Sequence, residues 1–558
     1  MENGMKFLPI GREDFREIIE GNGYYVDKTL LIKKLLKTGS KVTLFTRPRR
    51  FGKTLGISML QNFFEAADAG ALFQGLRIEK ETEICKKYMG QYPVISLSLK
   101  SARQDTFCNA FETLKQTVSE EFRRHEKEVL SYEYEKERIS RILNAQGDES
   151  DYLTSLQFLS QILYKAYGRK VIVLLDEYDV PLENAYFQGF YDRMVSFIRS
   201  LFESVLKTNN CLELAVITGC LRISKESIFT GLNNLHIISI LNKGYGEYFG
   251  FTGEEVQEMF EYYGLSERME ILKEWYDGYL FGETEIYNPW SVLSFAADSL
   301  EDKAALPKPY WSNTSSNNIV KTLIERADVQ IRGKIENLIE GGTIESVIHE
   351  DITYADIEKS EENLWNFLYF TGYLKKVSEH FADGQTVMSM KIPNAEIHDI
   401  YRNKIIEWMK EKLQNEDLSD LYQAVLQGNA SLFQEKLGEQ LRSSISFYDA
   451  KEAFYHGFLL GLLGPMDHYL VESNREAGDG RPDIVMKSLD VKRPAVLMEL
   501  KAASSYAKME DRAKEALKQI KDRHYELDLE RDGYENIIRY GIAFYKKNCL
   551  VLKATEIE

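Results

Sequence analysis

The stretch Lys41-Val-Thr-Leu-Phe-Thr-Arg-Pro-Arg-Arg-Phe-Gly-Lys-Thr54 decides the fold of the first half of the chain. Val42 to Thr46 reads as a short buried strand. Gly52, Lys53 and Thr54 then open an amphipathic helix running to about residue 67. A strand, a loop and a helix beginning Gly-Lys-Thr form a phosphate cradle, because the helix N-terminus offers unpaired N–H groups to phosphate oxygens. Lys53 is expected to reach the β- and γ-phosphates of ATP or GTP, and the Thr54 hydroxyl to hold Mg²⁺. The usual spacing is G-x-x-x-x-G-K-[ST], and Arg47 stands where its first glycine belongs. A basic turn before an ordinary helix would look similar, so a second motif must decide.

Val171-Ile-Val-Leu-Leu-Asp-Glu-Tyr-Asp179 supplies it. Five apolar residues in a row suit a strand buried on both faces of a parallel sheet. Asp176 and Glu177 fall at its carboxyl end, where ligands bind in open α/β sheets. Asp176 is expected to hold the Mg²⁺ shell, and Glu177 to orient or deprotonate the attacking water. Leu212-Glu-Leu-Ala-Val-Ile-Thr218 is a further strand. Thr218 at its tip can sense the γ-phosphate, and Arg222 can touch nucleotide or a neighbouring segment; turn chemistry would explain both equally well. Arg47, Arg49 and Arg50, with Phe51 and Gly52, crowd the nucleotide site. They read as phosphate ligands rather than as a nucleic-acid patch. Strands at 42–46, 93–99, 171–175, 212–217 and 236–240 with helices between them predict a doubly wound α/β sheet.

The chain has 558 residues, too many for one core. Its net charge of −17 restricts any nucleic-acid site to a local basic patch. Five scattered cysteines without a C-x-x-C pair suit a reducing cytoplasm and no zinc site. The N-terminus does not read as a signal peptide, and the longest apolar stretch, around Phe454–Leu463, is too short for a membrane span.

Around these motifs the pattern divides into an ATPase region (1–245), a helical lid region (246–350), a winged-helix unit (351–415) and a C-terminal α/β region (416–558). Residues 1–40 carry two short amphipathic helices that pack on the first region. Residues 103–146 read as a charged, solvated helical insertion. Tyr276-Asp-Gly-Tyr279 and Tyr287-Asn-Pro-Trp-Ser291 read as aromatic turns between helices. Leu364–Phe370, a hairpin turning at Asp383-Gly384 and a helix after Pro393-Asn394 suggest the winged helix, favoured as an internal lid over a DNA-binding unit.

The C-terminal region holds a second constellation. Asp483-Ile-Val-Met-Lys487 and Ala495-Val-Leu-Met-Glu-Leu-Lys501 read as a hairpin. If its turn centres near Val491, Asp483 lies opposite Glu499, close enough for both to share one metal. Glu499 and Lys501 then face the same way. The carboxylates would hold Mg²⁺, and Lys501 would position a water or stabilise developing charge. Glu452 could add a carboxylate, and Gln519 could orient Lys501 or a water. Asp490, in the turn, is a weaker rival. A surface hairpin with ordinary charges is the bland alternative. Gly480-Arg481-Pro482 and the α-β-β-β-α-β order favour a nuclease.

Residues 5–250 resemble the bacterial AAA-ATPase-like family. The resemblance rests on Leu8-Pro-Ile-Gly, Tyr25-Val-Asp-Lys-Thr, Arg47-Pro-Arg-Arg-Phe-Gly-Lys-Thr, Leu175-Asp-Glu-Tyr-Asp and Ser224-Lys-Glu-Ser-Ile-Phe-Thr-Gly-Leu-Asn-Asn. That family carries Arg-Pro-Arg-Arg-Phe-Gly-Lys, so Arg47 is a family feature. Phe454-Tyr-His-Gly-Phe-Leu-Leu-Gly-Leu-Leu, Gly480-Arg-Pro-Asp and Glu499-Leu-Lys501 resemble the PD-(D/E)XK nuclease domain commonly fused to it. The resemblance implies a P-loop NTPase (ASCE/AAA-like) sheet, a restriction-endonuclease-like domain, ATP, and Mg²⁺ or Mn²⁺. The expected activity is an ATP-coupled nuclease acting on DNA or RNA, with nucleic acid at a local site and no membrane. A homo-oligomer fits ATPases that work across subunit interfaces. The rival expectations are a regulatory switch using the nuclease fold as a binding module, and a defence sensor whose nuclease needs a partner.

Overall fold

In a computed structural model, residues 4–222, 228–229, 234–313, 329–401, 418–444, 452–473 and 482–554 are described. They fall into two compact units, one within 1–313 plus 343–398, the other within 314–342 plus 399–558.

The first unit is built on five parallel strands: β1 (Val42–Thr46), β2 (Val94–Ser98), β3 (Val171–Asp176), β4 (Leu212–Gly219) and β5 (Leu235–Ile238). Their order is β2-β3-β4-β1-β5. Every residue of β1 and β3 is buried, as their unbroken apolar runs require. The helix Lys53–Glu65 buries Ile57, Met59, Leu60, Phe63 and Phe64 and packs against β3. Register sets Thr46 beside Gly219 and Ser98 beside Asp176, which gathers the strand ends that carry the motifs. Helices Phe15–Glu20 and Leu30–Thr38 are present as the amphipathic pattern predicts.

Two expectations are corrected here. The stretch 103–146 is not a solvated insertion. Helix Phe107–Arg124 buries Phe107, Ala110, Leu114, Val118 and Phe122, and its Glu121 accepts the Ser96 N–H at 2.8 Å, which anchors it on β2. The charges occupy one face and the three- and four-residue apolar spacing makes the other. Tyr276 ends a helix, Met269–Tyr276, but Tyr279 and Tyr287 belong instead to a small antiparallel sheet of β6 (Phe251–Thr252), β7 (Tyr279–Phe281) and β8 (Thr284–Tyr287), in order β6-β8-β7. Aromatic residues suit a half-buried pleated surface better than a helix junction.

β9 (Ile344–Val347), β10 (Lys375–Ala382) and β11 (Gln385–Lys391) form a third sheet, in order β10-β11-β9. Helix Glu361–Phe370 precedes its hairpin, and residues 395–401 are helical after it. In that last helix the fully buried Glu396 carboxylate accepts from Ser291 Oγ at 2.8 and 3.0 Å and from the Trp311 N–H at 2.8 Å. Burial pushes it up to about 7. The folded chain therefore holds a proton that the unfolded chain loses near its ordinary pKa of 4.5, and stability falls as pH rises from there to about 7. Glu396→Gln should raise stability by about 2 kcal/mol near pH 8 and leave it unchanged near pH 4, as thermal melts at both values would show.

The second unit carries β12 (Tyr469–Ser473), β13 (Ile484–Ser488), β14 (Ala495–Ala502), β15 (Ile537–Tyr545) and β16 (Asn548–Lys553), adjacent in chain order. Only β14 and β15 pair in parallel, and helix Met509–Asp522 makes their crossover. Side chains alternate between the sheet faces. Ile484, Met486, Val496, Met498 and Leu500 pack with Phe433, Leu437, Phe458 and Leu462 of the preceding helices. Val485, Ala495 and Leu497 pack under Leu517 and Ile520 of the crossover helix, the face that also receives Glu499 and Lys501.

Candidate functional sites

The phosphate loop runs between β1 and the helix capped by Gly52, whose φ of +80° is a left-handed conformation that glycine adopts without strain. Lys53 Nζ donates to the carbonyls of Arg47 at 3.1 Å and Pro48 at 2.9 Å, and lies 3.7 Å from Cys220 Sγ. Thr54 Oγ1 donates to Asp176 Oδ2 at 2.8 Å, and Thr218 Oγ1 donates to Asp176 Oδ1 at 2.5 Å. Thr218 Oγ1 also accepts the Glu177 N–H at 3.3 Å. Burial raises the Asp176 carboxyl above its ordinary value, and the neighbouring Glu177 adds to the rise against the Thr218 and Thr54 hydrogen bonds. Glu177 has φ +50°, uncommon for a residue with a side chain, and turns the chain sharply after β3. The structure thus brings Lys53, Thr54, Asp176, Glu177 and Thr218 together at one sheet end.

The arginines behave otherwise. Arg47 has no exposed surface and donates to the carbonyls of Thr46 at 2.9 Å, Ile238 at 3.1 Å and Tyr245 at 3.4 Å. Its guanidinium lies over Phe281 and Phe249, and burial lowers it to about 9. It joins β1 to the chain after β5, with its donors turned to main-chain carbonyls. Burial would also lower Arg49, but its ion pair with Glu183 outweighs that and holds it charged; Arg103 reaches the same carboxylate at 3.6 Å. Arg50 stacks 4.3 Å above Trp290, and Phe51 is buried against Tyr279 and Phe281. Arg50 and Phe51 are held in this way because β7 and the Trp290 helix, both distant in sequence, pack on the loop. Arg222 meets a neighbouring segment, pairing with Glu350 at 3.2 Å and Asp351 at 3.3 Å.

In the second unit, Ile484 pairs with Met498 and Met486 with Val496, a register centred on Val491 that sets Asp483 against Glu499. The Asp483 N–H donates to Glu499 Oε2 at 3.4 Å, and the Leu500 N–H to Asp483 Oδ2 at 2.8 Å. Lys501 Nζ donates to Glu499 Oε1 at 3.1 Å. Burial pushes the 1 % exposed Glu499 up to about 7, the Asp483 charge adds to this, and Lys501 opposes it. Two crowded carboxylates, one of them buried, fit a hard divalent cation that keeps several waters. Among the described residues no group of three or more His, Cys, Asp or Glu gathers as a metal cluster. The carboxylates that meet here among the described residues are those of Asp483 and Glu499.

Gln519 is not brought to this site. It donates to Tyr525 OH at 3.4 Å, and Tyr525 packs with Ala495 and Leu497. The crossover helix runs back along β14, so its later residues lie over the strand's beginning. Asp490 accepts the Lys492 N–H at 3.1 Å within the turn. Glu452 opens the helix Glu452–Leu463, but its side chain, like Gly480 and Arg481, lies outside the described residues.

Three contributors had no assigned role in the sequence. Buried Asp179 accepts the Cys220 and Leu221 N–H groups at 2.8 and 3.1 Å and ties the turn after β3 to the one after β4. Its place in Asp176-Glu-Tyr-Asp179 was the available signal. His456 Nε2 lies 2.7 Å from the Asp483 carbonyl and 3.0 Å from Ser473 Oγ, which fixes the chain leading into β13. A histidine inside Glu452-Ala-Phe-Tyr-His-Gly-Phe-Leu-Leu-Gly-Leu-Leu463 stands out from an otherwise apolar helix. Glu350, 128 residues from Arg222, gave no local signal.

Comparison with known proteins agrees with both units. Residues 9–229 match the AAA-ATPase-like family, described as "Predicted AAA-ATPase", and residues 450–554 match the PD-(D/E)XK nuclease superfamily. The chain is 27 % identical over 401 residues, 70 % of its length and 68 % of the other's, to an "Uncharacterized protein in vnfD 5'region" of Azotobacter chroococcum mcd 1. Among the described residues no helix is long and apolar enough to cross a membrane. A phosphate loop on a 5-1-4-3-2 parallel sheet, an opposed Asp–Glu pair beside a lysine and these two matches lead to one assignment: the chain joins an AAA-ATPase-like domain to a C-terminal PD-(D/E)XK nuclease superfamily domain.

Proposed function

We propose that this protein is a cytoplasmic ATP-binding and ATP-hydrolysing enzyme coupled to a divalent-metal-dependent nuclease that cleaves DNA or RNA phosphodiester bonds. The observation that carries the nuclease half is the meeting of Asp483, Glu499 and Lys501 across one β-pair. Supporting the ATPase half is the Thr54–Asp176–Thr218 hydrogen-bond chain beside Lys53.

At the first site Lys53 leaves the loop carbonyls to bind terminal phosphate oxygens. Thr54 and Asp176 would hold the cation, and Thr218 fixes both Asp176 and the Glu177 main chain. Glu177 then orients the attacking water and takes its proton. At the second site Asp483 and Glu499 would hold the cation, while Lys501 would orient water and offset charge on the phosphate. Bound Mg²⁺ or Mn²⁺ supplies charge neutralisation at phosphate oxygens and lowers the pKa of a water.

The test is cleavage of plasmid, linear and single-stranded DNA and of RNA, with Mg²⁺ or Mn²⁺, with and without ATP. Lys501→Ala should lose cleavage and keep ATP hydrolysis. Lys53→Ala should lose hydrolysis and, if the sites are coupled, ATP-stimulated cleavage. Absence of cleavage under every condition with hydrolysis intact would reject the nuclease and favour a switch whose nuclease fold is a binding module.

A further inference from the structure

The segment between β9 and β10 crosses the end of the parallel sheet where the motifs gather. It meets the turns after four of its five strands. Glu350 accepts from Arg222 at 3.2 Å, beyond β4, and from Ser239 Oγ at 2.5 Å, beyond β5. Asp351 adds a second carboxylate to Arg222 at 3.3 Å. Tyr354 OH donates to Asp179 Oδ2 at 3.5 Å, beyond β3. Gly372, at φ +91°, closes the segment, and a Cβ there would come within 3.1 Å of Pro48 Cβ in the phosphate loop. The segment is itself braced, since Asn366 of helix Glu361–Phe370 accepts the His349 N–H at 3.0 Å and donates to the Val347 carbonyl at 2.7 Å.

These tethers converge on the groups that would meet a terminal phosphate. Cys220, whose sulfur is 3.7 Å from Lys53 Nζ, lies two residues before Arg222. Asp179 holds the Cys220 and Leu221 N–H groups and also accepts Tyr354. A triphosphate beside Lys53 places new negative charge where Arg222 is attracted and Glu350 and Asp351 are repelled.

We propose that residues 348–372 form a nucleotide-responsive strap, held across the sheet end by Arg222–Glu350 and Tyr354–Asp179, and that a triphosphate at Lys53 loosens it by drawing Arg222 from Glu350. This rests on the reading of Lys53 as a phosphate ligand. The coupling is reciprocal: whatever the nucleotide costs the strap, the strap costs the nucleotide in affinity by the same factor. ADP, without the terminal phosphate, loosens it less.

Hydrogen–deuterium exchange of the full chain reads the strap directly. Amides of residues 348–360 are followed alone, with ADP and with ATPγS, while fluorescence titration measures nucleotide binding. Wild type should exchange at least about fivefold faster there with ATPγS, and less so with ADP. Glu350→Gln and Tyr354→Phe, each with a wild-type melt, should exchange fast without nucleotide and bind ATPγS about fivefold more tightly. ATPγS that binds without changing wild-type exchange, with unaltered affinity in both variants, would make the strap static packing. Failure of ATPγS to bind wild type would overturn the phosphate-loop reading and the strap with it.

Discussion

Glu499→Gln is expected to lower cleavage by about a thousandfold while making the C-terminal unit more stable near pH 8. Glu499 is buried beside Asp483, and its carboxyl titrates at about 7. A folded-state value above the ordinary 4.5 means that the folded chain binds its proton more tightly than the unfolded chain does. The resulting penalty is absent below the unfolded value and complete above the folded one, so stability declines between them. Glutamine removes the charge and keeps the shape, which should contribute about 2 kcal/mol near pH 8, moderated by the lost Lys501 pair. The same change removes one of the two carboxylates that meet at the site. Calorimetric titration with Mn²⁺ alone should show binding weakened by at least about tenfold, independently of any cleavage assay. A variant that cleaves normally would show that Glu499 holds no cation, and one that is less stable near pH 8 would show that its ion pair with Lys501 outweighs the cost of burying its charge.

Arg47→Ala should destabilise the N-terminal unit by roughly 3–5 kcal/mol, close to the whole stability of many domains. Its guanidinium serves the carbonyls of Thr46, Ile238 and Tyr245, and truncation takes this donor from all three and empties the space beside Phe249 and Phe281. Arg47→Lys should rescue little, because a single ammonium cannot replace a planar fork aimed at several carbonyls. Chemical denaturation of both variants checks this. A folded Arg47→Ala protein with weakened nucleotide binding would restore Arg47 as a phosphate ligand.

Much of the architecture was legible because its signals are local. Val42–Thr46 and Val171–Leu175 are unbroken apolar runs, and the Asp483–Glu499 register follows from one turn centre and the strict alternation of a hairpin. What was not legible has a common physical source. Arg47, Arg49, Arg50 and Phe51 were read by their neighbours in sequence, whereas Tyr245, Glu183, Trp290 and Phe281 occupy them in space. Gln519 sits on the expected helix, but its place depends on which way a crossover helix runs, which spacing does not state. The helix Phe107–Arg124 looked solvated because its many charges hid a regular apolar stripe.

The strand order β2-β3-β4-β1-β5 has a consequence for how the chain is made. β1 lies between β4 and β5, with Val42 opposite both Ala215 and Leu235. β2 and β3 can pair with each other first, but β1 has no partner strand until residues 212–238 have been synthesised. At ordinary elongation rates the nascent chain waits roughly ten seconds or longer with Val42-Thr-Leu-Phe-Thr46 uncovered. The phosphate loop is thus translated before β2 and β3 but built only after those two can pair. A ribosome that stalls before β4 releases a chain with an orphan apolar strand, the kind of segment that chaperones bind and that aggregates without them.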